Sequence, residues 1–586
     1  MAILAVMAIL PCLEVIAREI FHTTIIGSIV TVQHLTLWIS FVGAMLAARQ
    51  GRLLTLTGDT GWHLKRWGPW ANLPADIVSV GVAVTLMAAS YRLMVIEHSF
   101  PRAIVGPIQI WMAQLIMPLG FAVMAWRILR RSNPAWTYRL AVIGGILLLG
   151  IIGAVGGLQD TGAVYLGFLG LLLAAVLGAP IFVLLGGAAI LLFWNDWGVL
   201  AAISVETYRI VVHPMLPTIP LFTMAGFFLA ESGASKRLIR FFRAWFGWIP
   251  GGTPVVTILV CAFFTSFTGG SGVTILALGG LLFPMLLREN YSGRFSTGLL
   301  TASGSLGLLF PPSLPVILYA IRSQTPINRL FLAGILPGIV LITLVALWSV
   351  RQGVVQHVKR PPFRIKEAWE SFKAAKWEVI IPGIILVGIF GGFVTIVEAA
   401  AVTVVYTFII EAFVYKDLKL SKDIVPTMVQ GATLIGGVLI IMGTAMGLTS
   451  YLVDAQVPSR ALHWVQAHID SKLVFLLALN GALLLVGALM DIFSAIIVVV
   501  PIIVPMGLAY GIDPAHLGII FLVNLELGYL TPPVGMNLFL SSYRFKMPLP
   551  KVYRAVVPYL IILAIGVLII TYVPWITLFI PSLMGY

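Results

Sequence analysis

Long, continuous apolar runs separated by short polar clusters fill most of this chain, and few of them alternate apolar with polar residues. An α-helix needs roughly 20 apolar residues to cross about 30 Å of hydrocarbon. Only helices and closed barrels satisfy their backbone groups in lipid, and runs of this length read as helices. The pattern predicts an all-α, polytopic membrane bundle. Four runs, near 2–17, 25–48, 76–95 and 108–128, make up a first part, 1–131. A fifth, 137–157, falls in a linker, 132–159, and is expected to carry the chain back across. From 160 to 586 the runs are repeatedly broken by Gly-Gly, Pro-Pro and small polar groups, which signals a different architecture.

Breaks at matching places in two halves point to discontinuous helices around a midplane site. A shift of 221 residues, without gaps, puts Pro284-Met285 on Pro505-Met506, Gly307 on Gly528, Leu309 on Leu530, Pro311-Pro312 on Pro532-Pro533 and Pro337 on Pro558. The larger part therefore contains an internal repeat. Each half also has an apolar run with a small or polar tip, 253–287 (tip Thr268 to Ser271) and 473–510 (tip Asp491). Both are too short for two ordinary crossings and read as re-entrant hairpins. Five candidate crossings lie between them, at 296–322, 329–350, 379–395, 398–415 and 427–452. An odd number makes the hairpins enter from opposite faces, so the repeat is inverted, the architecture of secondary transporters. One crossing is unplaced: three are needed between 160 and the first hairpin and two are clear. Either 163–194 is two short helices or 200–213 also spans.

Composition agrees with this picture. The 586 residues are 60% hydrophobic and 10% charged, which excludes an ordinary soluble domain. The net charge of +14 would suggest nucleic acid in a soluble protein. Here the basic residues collect in loops: Arg351, Lys359, Arg360, Arg364, Lys366, Lys373 and Lys376 in one, Arg49, Arg52, Lys65 and Arg66 in another. That is the positive-inside bias, and it places these loops, the Lys416, Lys419, Lys422 loop and the N-terminus in the cytoplasm, with no nucleic-acid partner. Trp62, Trp67 and Trp70 read as an interfacial aromatic belt, and 235–249 as a basic amphipathic helix in the headgroup plane. The N-terminal run lacks a basic leader and a small-residue cleavage site, and reads as a retained helix. Cys12 and Cys261 sit in apolar runs and offer no disulfide framework. The nine histidines lack ligand spacing, and there is no P-loop or polar catalytic cluster, so an enzyme is not expected.

Candidate chemistry gathers at the breaks. Proline lacks an N–H and clashes with the preceding turn, so carbonyls at or before Pro311-Pro312 and Pro532-Pro533 are freed. Freed carbonyls suit a hard cation, and half-helix N-termini suit an anion. Hydroxyls of Thr268 and Ser271 and the Asp491 carboxylate would face them. The expectation is two cation sites, one per repeat, with the substrate between them. Charge inside a membrane is expensive and marks function or a partner. Glu398 fits an interfacial residue or helix N-cap and a functional role equally. Glu526, just before the second break, fits a proton carrier, a tip anchor or a structural acceptor.

These residues resemble a known family. Pro250-Gly-Gly252, Gly269-Gly-Ser271, Pro311-Pro-Ser313, Glu398-Ala-Ala, Asp491 with Pro505, and Leu525 through Gly535 (LELGYLTPPVG) resemble the large membrane subunit of tripartite ATP-independent periplasmic (TRAP) transporters. Ala17 to Phe21 and Phe41 to Arg49 resemble the small membrane subunit, so the chain looks like a fusion of both. The resemblance implies an elevator-type fold related to the ion transporter superfamily, in the bacterial inner membrane. It implies import of an organic acid, such as a dicarboxylate or a sialic acid, brought by a soluble periplasmic substrate-binding protein and driven by two or more Na⁺. Carbonyls of Gly307, Phe310 and Pro312, closed by the tip Thr268, Gly270 and Ser271, would hold one Na⁺. Gly528, Thr531 and Pro533, near Asp491, would hold the second. Ser313, Asn524, Glu526 and Gly535 are the candidate substrate contacts. The first tip reads Thr-Gly-Gly-Ser-Gly where the family often has Ser-Gly-Ser, leaving Thr268 and Ser271 as alternative hydroxyl ligands. The rival expectation is a stand-alone or H⁺-coupled carboxylate transporter that needs no binding protein. A small part covering surfaces used elsewhere for dimer contacts is compatible with a monomer.

Overall fold

A computed structural model describes residues 1–55, 69–132, 135–154, 162–196, 198–356, 358, 362–419, 422–532 and 535–585. Trp62, Lys65, Arg66, Trp67, Lys359, Arg360 and Pro533 lie outside the described residues. The chain is helical almost throughout, and ten helices among the described residues are long and apolar enough to cross a membrane. One short antiparallel pair, β1 (Ala103–Val105) and β2 (Ile108–Gln109), is the exception. Chain contacts divide the molecule into two compact units, 1–220 with 428–458, and 221–427 with 459–586.

The first unit opens with α1 (Ala2–Phe21), α2 (Ser28–Gln50), α3 (Leu73–Ser99), α4 (Ile110–Arg131) and α5 (Trp136–Ala154). These are the five runs read from the sequence, each shifted by a few residues. Next come α6 (Ala163–Val176), α7 (Ile181–Asn195) and α8 (Ala201–Val211). The Gly-Ala-Pro break does split 163–194 into two helices. A side chain at Gly167 would strike Leu191 and one at Gly187 would strike Leu171, so α6 and α7 run antiparallel. With α9 (Thr218–Glu231), α6 and α7 are apolar helices of 14 or 15 residues, shorter than the ten long spans. The 11-residue α8 rises only about 16 Å and does not span.

The unit is completed by α18 (Ile424–Asp454), which returns to it from far along the sequence. Thr207 Oγ1 donates to Gly443 O at 2.9 Å, and Gly436 on α18 lies backbone to backbone against Gly43 on α2. A Cβ at Gly436 would stand 2.2 Å from the Gly43 carbonyl carbon. Small residues at crossings are how membrane helices reach van der Waals contact when lipid supplies no hydrophobic drive.

The second unit carries the repeat. Its first half is α10 (Ala234–Phe246), hairpin α11 (Gly252–Thr268) and α12 (Ser271–Arg288), broken helix α13 (Gly293–Ser303) and α14 (Leu314–Ser323), and α15 (Ile327–Val355). Then α16 (Ile365–Phe390) and α17 (Ile396–Val414) follow. Most of the basic loop 351–377 is therefore helix, the last turn of α15 and the first turns of α16. The second half, after α18, is α19 (Val457–His468), hairpin α20 (Lys472–Leu489) and α21 (Ile492–Ala509), broken helix α22 (Pro514–Gly528) and α23 (Met536–Phe545), α24 (Leu549–Tyr572) and α25 (Trp575–Leu583). The five expected crossings between the hairpins are all helical: α13 with α14, α15, α16, α17 and α18.

The 221-residue offset persists in detail. Ser292 caps α13, its Oγ accepting from Phe295 N at 3.2 Å, and Asp513 caps α22, accepting from Ala515 N at 2.9 Å. Packing follows the same pseudo-symmetry: α12 lies on α23 as α21 lies on α14, and α13 on α24 as α22 on α15. The sequence reading missed one equivalence. The helix α10 found at 235–249 has a counterpart in α19, whose side chains are all at least partly exposed, as an interfacial helix requires.

Candidate functional site

Both hairpin tips and both breaks belong to the second unit. At each break a glycine lets two backbones touch. A Cβ at Gly307 would stand 2.2 Å from Ala262 O and 2.9 Å from Ser266 N on α11. At the offset position, a Cβ at Gly528 would stand 2.5 Å from Gly487 Cα on α20. Breaks are thus pressed against the first arms of their own hairpins in the same way.

In the first half the chain leaves α13 and turns tightly from 304 to 313. Gly307 O accepts from Phe310 N at 3.2 Å, and Phe310 O from Ser313 N at 3.0 Å. Each carbonyl keeps one lone pair, since a carbonyl oxygen has two. The Phe310 ring packs on Gly338, and Pro312 is buried. Ser313 caps α14 with its backbone alone; its Oγ is buried and has no hydrogen-bond partner among the described residues. Thr268 ends α11, Gly270 is the N-cap of α12 and Ser271 is its first residue. The two candidate hydroxyls diverge. Among the described residues Thr268 Oγ1 makes only long contacts, 3.4 Å to Thr274 Oγ1 and 3.5 Å to Gly270 O. Ser271 Oγ reaches across to the other repeat and donates to Asn537 Oδ1 at 2.6 Å.

Sequence reasoning missed three residues here. Thr265 Oγ1 meets Thr274 Oγ1 at 2.7 Å and Gly304 O at 2.8 Å, so three threonine hydroxyls and a freed carbonyl share one buried spot. Asn537, in the first turn of α23, holds tip one through Ser271 and donates from Nδ2 to Thr301 O at 3.3 Å. The signal was present: Thr265 is one turn before Thr268 on the same helix face, and Asn537 stands two residues past Gly535.

In the second half Asp491 is the N-cap of α21. Its Oδ1 accepts from Phe493 N at 2.9 Å and Ser494 N at 3.1 Å, and Oδ2 from Ser494 Oγ. By the offset it replaces Gly270, so only the second tip has a side chain that caps its own arm. Tyr529 Oη accepts from Ile492 N at 2.6 Å, and Gly535 N donates to Ala488 O at 3.1 Å, stitching this break to this tip. Gly528 O accepts from Thr531 N at 2.9 Å, while Thr531 Oγ1 donates to Leu527 O at 3.0 Å. Asn524 turns into the hairpin arm, donating to Asn480 Oδ1 at 2.6 Å. Glu526 is 3% exposed, and neither carboxylate oxygen has a hydrogen-bond partner among the described residues. Glu398 completes a capping box as the N3 residue of α17, accepting from Thr395 N at 2.7 Å while its own N–H donates to Oγ1 of Thr395, which is the N-cap.

Four helix C-termini (α11, α13, α20, α22) and four N-termini (α12, α14, α21, α23) therefore end at the tips and breaks. The former present carbonyls and the latter positive dipole ends. Among the described residues no group of three or more His, Cys, Asp and Glu side chains could hold a metal ion. The available donors are backbone carbonyls and hydroxyls, the oxygen set that suits a hard cation.

Away from this centre, Arg237 on α10 is 16% exposed at its side chain and binds three acids. It contacts Glu411 at 2.7 Å, pairs with Glu378 and Asp417, and stacks 3.6 Å from the Tyr415 ring centre. The helix read as a plain surface element is anchored by a partly buried ion cluster.

Comparison with known proteins identifies the family. Residues 166–576 match the family described as tripartite ATP-independent periplasmic transporter, DctM component, and residues 7–138 match the DctQ component. The C4-dicarboxylate TRAP transporter large permease protein DctM of Vibrio cholerae is 32% identical over 433 residues, covering 70% of this chain and 95% of that protein. The isethionate TRAP transporter permease protein DctMQ of Oleidesulfovibrio alaskensis is 30% identical over 527 residues, 86% of this chain and 80% of that protein. Among solved structures, the YdaH transporter of Alcanivorax borkumensis is similar at a TM-score of 0.44 and 15% identity, over 63% of this chain and 88% of that one. The chain belongs to the tripartite ATP-independent periplasmic transporter family, as a multi-pass inner-membrane permease that joins the DctQ and DctM components in one polypeptide.

Proposed function

We propose that this permease imports a small organic acid handed to it by a soluble periplasmic substrate-binding protein, drives that import with Na⁺, and alternates between faces by an elevator-type movement. Residues 1–131 would act as the small-subunit scaffold, 132–159 as the linker that fuses it, and 160–586 as the transporting part. The N-terminus and the basic loops would face the cytoplasm, with the first hairpin opening there and the second opening outside. A single such chain with its binding protein would suffice, as a monomer.

The observation that carries this reading is the paired break. At Gly307 and Gly528 the broken helices lie backbone to backbone on the hairpin arms at corresponding positions. One Na⁺ would use carbonyls of Gly307, Phe310 and Pro312 with the hydroxyl spot of Thr268, and the Gly270-Ser271 tip would close it. The other would use Gly528, Thr531 and Pro533, beside the tip that Asp491 caps. Helix N-termini at Ser313 and Gly535 favour an anionic substrate between the ions, with Asn524 and Glu526 of α22 as further candidate contacts. Buried Glu526 favours a second reading, H⁺ coupling, because neither of its oxygens is paired among the described residues.

Uptake by proteoliposomes tests both. The expected result is accumulation only with binding protein outside and an inward Na⁺ gradient, abolished when choline replaces Na⁺. Uptake without the binding protein overturns the tripartite reading. Uptake driven by a pH gradient in Na⁺-free buffer overturns the Na⁺ reading.

A further inference from the structure

The first unit has a basic cavity at the paired ends of α2 and α4. It is about 540 Å³ and is lined by Arg49, Val123, Trp126, Arg127, Arg130 and Arg131. Arg127, Arg130 and Arg131 are spaced i, i+3 and i+4, which puts them on one face of α4, and Arg49 joins them from the last turn of α2. The Arg131 guanidinium lies over the C-terminus of α2, where Gly51 has no side chain to exclude it; a Cβ there would stand 0.9 Å from Nη1.

None of these four arginines is paired with a carboxylate among the described residues. Asp76, in the first turn of α3, accepts from Tyr138 Oη at 2.6 Å. Four like charges gathered round one hollow repel one another, and an anion from outside the chain would relieve that.

We propose that this cavity binds the phosphate of an anionic phospholipid headgroup. Guanidinium forks match phosphate oxygens in pairs. Trp126 is 59% exposed beside the arginines, where an indole sits at headgroup depth. Val123, one turn further into the helix, gives the cavity an apolar wall, so polarity falls along α4 as it does from headgroup to acyl chain. Basic pockets between membrane helices take such headgroups. The inference requires only that the chain spans a membrane, and it stands whether or not Na⁺ drives transport.

The test is lipid titration of the purified full-length protein by native mass spectrometry, with phosphatidylglycerol, phosphatidylcholine and inorganic phosphate as separate probes. Phosphatidylglycerol should be retained in preference to phosphatidylcholine. Replacing two arginines, R127Q/R130Q, should weaken it about 30-fold, since each basic residue near an anionic headgroup contributes about five-fold. K416Q/K419Q removes two charges from another loop and should change nothing. Equal retention of the two lipids, or an unchanged affinity in R127Q/R130Q, overturns the proposal. Displacement of the lipid by equimolar inorganic phosphate overturns it in favour of a free-anion site. If R127Q/R130Q does not fold, R127K/R130K carries the test: it keeps the charge but loses the fork, so several-fold weaker binding is expected and an unchanged affinity refutes the guanidinium contact.

Discussion

Gly528→Ala is the sharpest probe of the paired breaks. The new Cβ would lie 2.5 Å from Gly487 Cα and 2.6 Å from the Gly487 carbonyl carbon, both backbone atoms. Reaching even 3.0 Å requires the break and the hairpin arm to part by 0.5 Å, and ordinary contact at 3.4 Å requires 0.9 Å. Overpacking of this kind typically costs about 1–3 kcal/mol, which a protein of this size tolerates. Ion geometry is less forgiving, because carbonyl oxygens hold a hard cation within a few tenths of an ångström, about 2.3–2.6 Å for calcium. Misplacement near 1 Å is worth roughly 100-fold in catalytic settings. We expect folded protein whose half-saturating Na⁺ concentration for uptake rises by about tenfold or more. Gly481→Ala, on the same hairpin arm but with nothing within 4 Å of its Cβ, is the control. It should stabilise the arm by up to about 1 kcal/mol and leave Na⁺ dependence alone. Unchanged Na⁺ dependence in Gly528→Ala, or an equal loss in Gly481→Ala, would refute the role given to the close approach.

Three further outcomes follow from single contacts. Ser271→Ala leaves buried Asn537 Oδ1 without its donor, so hairpin opening should become easier by about 1–3 kcal/mol; faster hydrogen exchange at 269–274 reports this, and additive effects of Ser271→Ala and Asn537→Ala in a double-mutant cycle would deny the contact. Arg237→Ala strands Glu378 and Glu411, both fully buried, and should lower stability by about 3–5 kcal/mol in thermal unfolding, with Arg237→Lys intermediate; a neutral Arg237→Ala would mean the cluster is not formed. Glu526→Gln removes a carboxylate that no donor faces among the described residues, so unfolding should shift by less than about 1 kcal/mol, and a large loss of stability would reveal a partner for Glu526.

Much of the architecture could be read from the chain because lipid removes choices. Long apolar runs must be helices, and Pro-Pro pairs at one offset must be equivalent breaks, so hairpins, broken helices and the five crossings between them were predictable. The split of 163–194 was legible only as an alternative, since Gly-Ala-Pro is compatible with a kink or a turn. What escaped depends on contacts across the fold. Asn537 matters because α23 packs on α12, which no local pattern states. Thr265 looks like any membrane threonine bonding the carbonyl one turn back, as it also does with Cys261 O at 2.8 Å. Helix α19 was hidden because one basic residue, Arg460, gives little amphipathic signal, whereas α10 announces itself with four.

The notch between Gly43 and Gly436 has a consequence for biosynthesis. The two residues touch backbone to backbone yet are separated by 393 positions in the sequence. At typical elongation rates of about 5–20 residues per second, α2 waits roughly 20–80 s in the bilayer before α18 leaves the ribosome. During that interval the bare glycine face of α2 is open to any neighbouring helix. Carrying both components on one polypeptide guarantees that the right helix arrives next to it, at one copy each.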